Sequence, residues 1–299
     1  MSVIAKPFVK WAGGKGNLLK SLESLLPDDF DTQVNVTYSE PFVGGGAMFF
    51  YMIKHHANIT RAVINDINKD LIKCYKLIKD NPQVLIERLQ DIERNYYHND
   101  IKDKEELYYA YRDQYNRNDI NDDERAALFI FLNHTCFNGL YRVNSSGNFN
   151  VPYGRHKRPI ICNKELILAN HRLFSSIDLI IREPGDYKLV ECDLNYDQPN
   201  LVYLDPPYKP LNDTSYFKEY SVSPFGDAQQ EELKQFCDRL TLNGCQLMLS
   251  NSDSRLLNGE SYFEQLYQGY NIQRILAPRF INANAENRSK LTEVVIRNY

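Results

Sequence analysis

The sequence predicts an α/β protein: a doubly wound, mixed sheet with an inserted, mainly helical module. Three observations carry this. Four short apolar runs each end in an acid, and helical patterns alternate with them, as in a sheet whose strands are joined by crossover helices. The alternation stops between about Asp70 and Ile160, where charged helical segments give way to an Asn/Gly/aromatic-rich stretch. Two further apolar runs, 245–249 and 291–296, look like late strands that complete the sheet.

In chain order, strands are predicted at 36–39 before Glu40, 62–65 before Asp66, 188–192 before Asp193 and 201–204 before Asp205. Helical patterns cover 18–26, 47–53, 68–78 and 229–240. The inserted module, residues 70–160, has helical patterns at 79–95, 104–115 and 123–133. Residues 1–69 and 161–299 then form the sheet domain. Ligands of open α/β sheets bind outside the carboxyl ends of the strands, so the four acids are expected to gather at one site.

The chain has 299 residues, 43% hydrophobic and 25% charged, as in ordinary soluble domains. No apolar run reaches the ~18–20 residues that span a bilayer, and the first residues lack a signal-peptide core. No membrane partner is expected. The six cysteines show no C-x-x-C pair and read as reduced thiols of a cytoplasmic protein. A net charge of −4 argues against a polyanionic partner, but the distribution argues the other way. From Ala126 to Asn163 there is no acid, while Arg142, Arg155, Lys157 and Arg158 all fall there. The first twenty residues add four lysines and no acid. Such segregation permits a basic face.

The chemistry concentrates in Asp205-Pro206-Pro207-Tyr208. Asp205 and the Pro206 carbonyl can accept hydrogen bonds from an exocyclic amino group. The prolines fix φ and stiffen the turn that aims these acceptors, and Tyr208 can stack on a planar base. The plainer reading is a strand end closed by a Pro-Pro turn with a surface tyrosine. Upstream, Glu40-Pro41-Phe42-Val43-Gly44-Gly45-Gly46 follows a strand and opens a helix, where glycines let backbone approach a ligand. Phe49 stands where a dinucleotide fingerprint needs Gly or Ala, and no P-loop occurs. The loop therefore suits an adenosine-containing ligand without a pyrophosphate, with Asp66 placed to bind two ribose hydroxyls. Lys10-Trp11-Ala12-Gly13-Gly14-Lys15 leaves two readings open. Trp11 is core and Lys15 a solvated helix start, or Lys15 meets a carboxylate near the site.

These blocks, K-W-A-G-G-K, E-P-F-V-G-G-G, N-D-I-N and D-P-P-Y, occur in the order seen in Dam-type, D12 class DNA adenine-N6 methyltransferases, which the chain resembles over nearly its whole length. The resemblance implies a Rossmann-like methyltransferase fold, S-adenosyl-L-methionine as cofactor and a flipped-out adenine in duplex DNA as substrate. It makes Asp205, Pro206 and Tyr208 the catalytic residues. Cofactor contacts would come from Trp11, Lys15, Glu40, Phe42, Gly44, Gly46, Asp66 and Asp205. Residues 70–160 become the target-recognition domain. No metal is required, because a sulfonium supplies its own leaving group. A monomer in a bacterial or phage-encoded setting is expected, and pairing with a cognate restriction endonuclease stays open.

The stretch from Cys136 to Arg155 resembles the recognition hairpin of Dam-type enzymes that methylate GATC. Arg142 can chelate guanine O6 and N7, and Asn138 can pair with a base edge. Leu140 and Pro152 can pack on a thymine methyl, and Phe137 can stack where a base has left the helix. Arg155 and Lys157 would hold phosphates. Related enzymes with this hairpin modify longer sites. A further acid lines the target pocket in this family. Asp193 is preferred to Asp186 because it ends a better strand. Ser250-Asn251-Ser252 reads as structural, and 284–290 is either a phosphate-binding loop or a surface loop.

Overall fold

Val36–Glu40 and Asn200–Leu204 are buried at every residue, the pattern of central strands covered on both faces. A computed structural model describes residues 3–98, 101–117, 119–209, 225–256, 259–277 and 291–299. Its first half runs α1 (Leu19–Glu23), β1 (Val36–Glu40), α2 (Ala47–His55), β2 (Ile59–Ile64), α3 (Lys69–Asp80), α4 (Pro82–His98), α5 (Ile101–Tyr115) and α6 (Asp122–Thr135). There follow α7 (Lys164–Ser175), β3 (Asp178–Ile181), β4 (Asn200–Leu204), α8 (Asp227–Leu242), β5 (Gln246–Ser252), α9 (Tyr262–Leu266), β6 (Asn271–Ala277) and β7 (Leu291–Arg297). The fold is α/β with a mixed seven-stranded sheet, as expected.

The chain divides into two compact units. One comprises residues 15–43, 56–64 and 187–299; the other comprises 1–14, 44–55 and 65–186. The first holds six of the seven strands, in the order β2-β1-β4-β5-β7-β6. β2, β1, β4 and β5 are parallel, whereas β7 runs antiparallel to both β5 and β6. The chain leaves β1 in one direction for β2 and returns on its other side as β4. The β1–β4 boundary is therefore the topological switch point, where α/β sheets place their ligands. Because β7 is reversed, its first residues lie beside the last of β5, with Glu293 opposite Ser252.

In the second unit, α6 is the central helix, packed against α3, α4 and α5. Every residue from Ala126 to Leu132 is buried, as required of a helix enclosed on all sides. Side chains of Asn68, Asn121 and Asn163 cap α3, α6 and α7, supplying acceptors for first-turn N–H groups.

One strand expectation needs correction, and two strands were not foreseen. The run 188–192 is not a strand; Tyr187–Asp193 forms a 3-10 helix in which Tyr187 and Val190, three apart, are the buried residues. That spacing is the 3-10 period, whereas Lys188 and Glu191 interrupt the alternation a strand needs. The strand missed in its place is β3, only four residues long. β6 was also missed: it is an edge strand, exposed at most positions, so its polar residues hide the apolar signal.

Candidate active site

The D-P-P-Y turn leaves β4 at the switch point, and the six-stranded unit builds a charged cluster around it. Lys15 Nζ lies 2.9 Å from Asp205 Oδ1 and 3.9 Å from Glu293 Oε2. The Tyr208 hydroxyl donates to Glu293 Oε2 at 2.7 Å, and Lys15 Nζ sits 4.4 Å from the centre of the Tyr208 ring. Lys15 is only 6% exposed, so it meets a carboxylate and is not a solvated helix start. Tyr208 is half-buried and bonded, which sets aside the plain surface turn.

Burial pushes the Asp205 carboxyl up to about 6, against the attraction of Lys15, and the Glu293 charge adds to the rise. Tyr38 and Tyr203 are buried beside it, and the Tyr38 hydroxyl donates to Glu40 Oε2 at 2.8 Å. Burial and the charges of Glu40 and Asp205 hold both phenols well above their usual value. The exit of the turn is pinned to the end of β5. Lys209 N–H donates to Asn251 Oδ1 at 3.2 Å, and Ser252 Oγ donates to the Lys209 carbonyl at 2.6 Å. Asn251 and Ser252 thus hold the turn in place. Phe42 stacks on Tyr187, ring centres 5.1 Å apart.

The other unit folds the glycine loop around Trp11. Gly44 has φ +47° and Gly46 φ +74°, the left-handed region that favours glycine. A Cβ at Gly44 would lie 2.8 Å from the Trp11 indole, and one at Gly46 would strike the Tyr75 hydroxyl. Asp66 fixes the loop, its Oδ2 accepting from Gly44 N–H at 2.9 Å and its Oδ1 from Asn68 N–H at 2.8 Å. The Ile67 N–H is a third backbone donor, and with about four lone-pair sites the carboxylate can still accept from a ligand hydroxyl. Burial raises the Asp66 carboxyl, against the backbone donors that favour its charge. Trp11 is half-buried and stacks on Tyr141, ring centres 5.8 Å apart.

The predicted recognition residues lie in the same unit. Phe137, Asn138, Leu140, Arg142, Pro152, Arg155 and Lys157 are all exposed. The hairpin is short: Val143 bridges Phe149, Cys136 bridges Tyr153, and Asn144 Oδ1 accepts from the N–H groups of Ser146 and Asn148. Arg142 Nε donates to Asn150 Oδ1 at 2.7 Å, which orients its guanidinium. Asn133 clamps the base of the hairpin to the amino-terminal segment. Its Nδ2 donates to the carbonyls of Lys10 and Gly139, and its Oδ1 accepts from Lys10 N–H. The two basic segments, far apart in sequence, meet in a groove of about 540 Å³ that carries Lys6, Lys10, Lys157 and Arg158.

Glu293 is the site residue that sequence reading missed. The signal was an acid near the start of an apolar strand, Leu291-Thr292-Glu293-Val294-Val295-Ile296, legible only once β7 is known to be antiparallel. The ground for preferring Asp193 is removed, because it ends a 3-10 helix and not a strand. Asp186 closes the loop after β3, where its backbone carbonyl accepts from Asn65 Nδ2 at 3.4 Å. The candidate loop 284–290 lies outside the described residues.

A family model of D12 class N6 adenine-specific DNA methyltransferases matches residues 11–279. The chain belongs to this family. A "Type II methyltransferase M.MjaIII" of Methanocaldococcus jannaschii is 41% identical over 297 residues, 98% of this chain and 99% of that protein. A "Type II methyltransferase M1.LlaDCHI" of Lactococcus lactis is 38% identical over 98% of this chain and 95% of its own length. The "DNA adenine methylase" of Escherichia coli is 30% identical over 97% of this chain and 94% of its own length. This D12 methyltransferase is accordingly an adenine-specific DNA methyltransferase, and its reaction needs a methyl donor.

Proposed function

We propose that this D12 enzyme transfers a methyl group from S-adenosyl-L-methionine to N6 of an adenine flipped out of duplex DNA, within GATC. The observation that carries the chemistry is the Lys15–Asp205–Tyr208 cluster at the end of β4. A rigid turn there presents amine acceptors and an aromatic face together.

In this reading Asp205 and the Pro206 carbonyl accept the two N6–H bonds, favouring a tetrahedral nitrogen whose lone pair points at the methyl. Tyr208 stacks on the base, returning about 1–3 kcal/mol against the few kcal/mol of extrusion. Bound to the enzyme, the donor supplies an electrophilic methyl on a sulfonium leaving group. The glycine cradle and Asp66 fit its ribose, and Trp11, Lys15, Glu40, Phe42, Gly44, Gly46 and Asp205 complete the contacts that family resemblance assigns. Alignment of reacting atoms supplies much of the acceleration. An ionised Asp205 with a raised pKa is a competent acceptor for the proton the nitrogen sheds.

Target reading is assigned to residues 70–160. Phe137, Asn138, Leu140, Arg142 and Pro152 address bases, while Arg155 and Lys157 address phosphates. With a single hairpin the enzyme works as a monomer. The Type II names of two relatives bring a cognate restriction endonuclease into view as a functional partner. The test uses labelled donor and duplexes differing only in GATC, a longer related site or a scrambled site, with products digested to nucleosides. N6-methyladenine confined to the GATC duplex is expected. Methylation elsewhere keeps the chemistry and discards the site, and no nucleoside product on any duplex removes the reading.

A further inference from the structure

We propose that Glu293 is a positioning residue of the amino-group site, fixing the plane of the Tyr208 ring and sharing Lys15 with Asp205. This rests on the function proposed above. Four groups close a ring: Asp205 to Lys15 at 2.9 Å, Lys15 to Glu293 at 3.9 Å, Glu293 to the Tyr208 hydroxyl at 2.7 Å, and the Tyr208 ring beneath the Lys15 ammonium. The Pro206-Pro207 turn holds one end of Tyr208, and Glu293 holds the other. A ring anchored at both ends keeps one plane, which a stacked base requires.

Energetics single out Glu293. Its strand neighbours Val294, Val295 and Ile296 are at most 1% exposed, and its own side chain is 17% exposed. A carboxylate held there is costly to desolvate unless charged and hydrogen-bonding partners offset the loss of water. Lys15 and Tyr208 are those partners. The reversed direction of β7 places an acid at the carboxyl edge of the sheet, next to a turn that comes from β4.

The charges facing Asp205 come from several elements. Lys15 approaches from the segment before α1, Glu293 from β7 and Tyr208 from its own turn; Tyr203 lies on β4, and Tyr38 with Glu40 on β1. Glu293 raises the Asp205 carboxyl, and the Tyr208 hydroxyl lowers it. Two conservative variants must therefore move Asp205 in opposite directions. Glu293→Gln removes a like charge and shifts its titration to lower pH. Tyr208→Phe removes a donor, leaves the ring, and shifts it to higher pH.

The experiment follows the Asp205 13Cγ resonance against pH in the full-length protein without donor or DNA, for wild type and both variants. It then measures the acid limb of kcat on a methylatable duplex. Opposite midpoint shifts are expected, with the kcat limb following each. For Glu293→Gln, kcat falls about tenfold, one lost interaction of ~1.4 kcal/mol, while KM stays within about twofold. A kcat loss with an unmoved Asp205 midpoint would mean packing alone and overturns the proposal, as does an unchanged kcat. If Glu293→Gln fails to fold, Tyr208→Phe decides, and a midpoint that stays put or falls overturns it. Absence of product from wild type on every duplex instead refutes the methyl-transfer reading, and the resonance still reports whether Glu293 faces Asp205.

Discussion

Lys15 and Arg155 each pair with a carboxylate, Asp205 at 2.9 Å and Glu105 at 3.2 Å, yet Lys15 is 6% exposed and Arg155 75%. The buried pair is largely withdrawn from water and fixed in place, so the Lys15 charge acts on the ionisation of Asp205. The exposed pair is worth little, ~0–1 kcal/mol, and Arg155 can exchange Glu105 for a phosphate at small cost. One region spends stability to hold charge in a set geometry. The other keeps its cations available.

The sharpest way to break the comparison is Asp205→Asn. Turnover should be abolished while duplex binding, which the proposed function assigns to the exposed face, stays near wild type by gel shift. The same variant should melt higher at pH 7.5. Asp205 has its folded value raised from 3.8 to about 6, so the stability linked to its protonated form is fully present below 3.8 and lost as pH rises through about 6. At ~1.4 kcal/mol per pKa unit, ionising it works against the fold by on the order of 1–3 kcal/mol. A neutral amide should recover part of that. An unchanged or lower melting temperature would mean that Lys15 needs the Asp205 charge more than Glu293 can replace it.

Arg142→Ala should have the next largest effect. Loss of a bidentate guanine contact costs about 1–3 kcal/mol and relaxes discrimination at one base pair. Competition between GATC duplexes with single substitutions would read it, and equal losses on all of them would reassign Arg142 to the backbone. The smallest effect belongs to Lys157→Ala. It should weaken binding uniformly across sequences and flatten the salt dependence by about one unit of log–log slope. An unchanged slope would remove Lys157 from the phosphate contacts.

These two regions were also unequally legible in sequence. The exposure of the hairpin was legible, because a polar, acid-free stretch marks a solvated segment, whereas its proposed base and phosphate contacts rest on family resemblance. The motif half of the proposed amino-group site was equally clear, since Asp205 and Tyr208 lie three positions apart on one turn. Glu293 was not, because nothing local tells that β7 runs antiparallel and brings its first residues beside the end of β5, within reach of the turn that follows β4. The strand expected at 188–192 failed for a related reason. Val190 and Tyr187 are buried at a spacing of three, and a short apolar run does not declare its period.

Trp11 is the chain's single tryptophan, and it touches two things at once: its indole is the wall that forbids a Cβ at Gly44, and its face lies on Tyr141 of the hairpin. The protein therefore carries one indole fluorophore, excitable to the red of its 21 tyrosines, in contact with both the glycine loop and the hairpin of the same unit. Any rearrangement of the glycine loop alters the edge of the fluorophore, and any tilt of the hairpin alters its stacked face. Without a label, a single emission band can keep time for both.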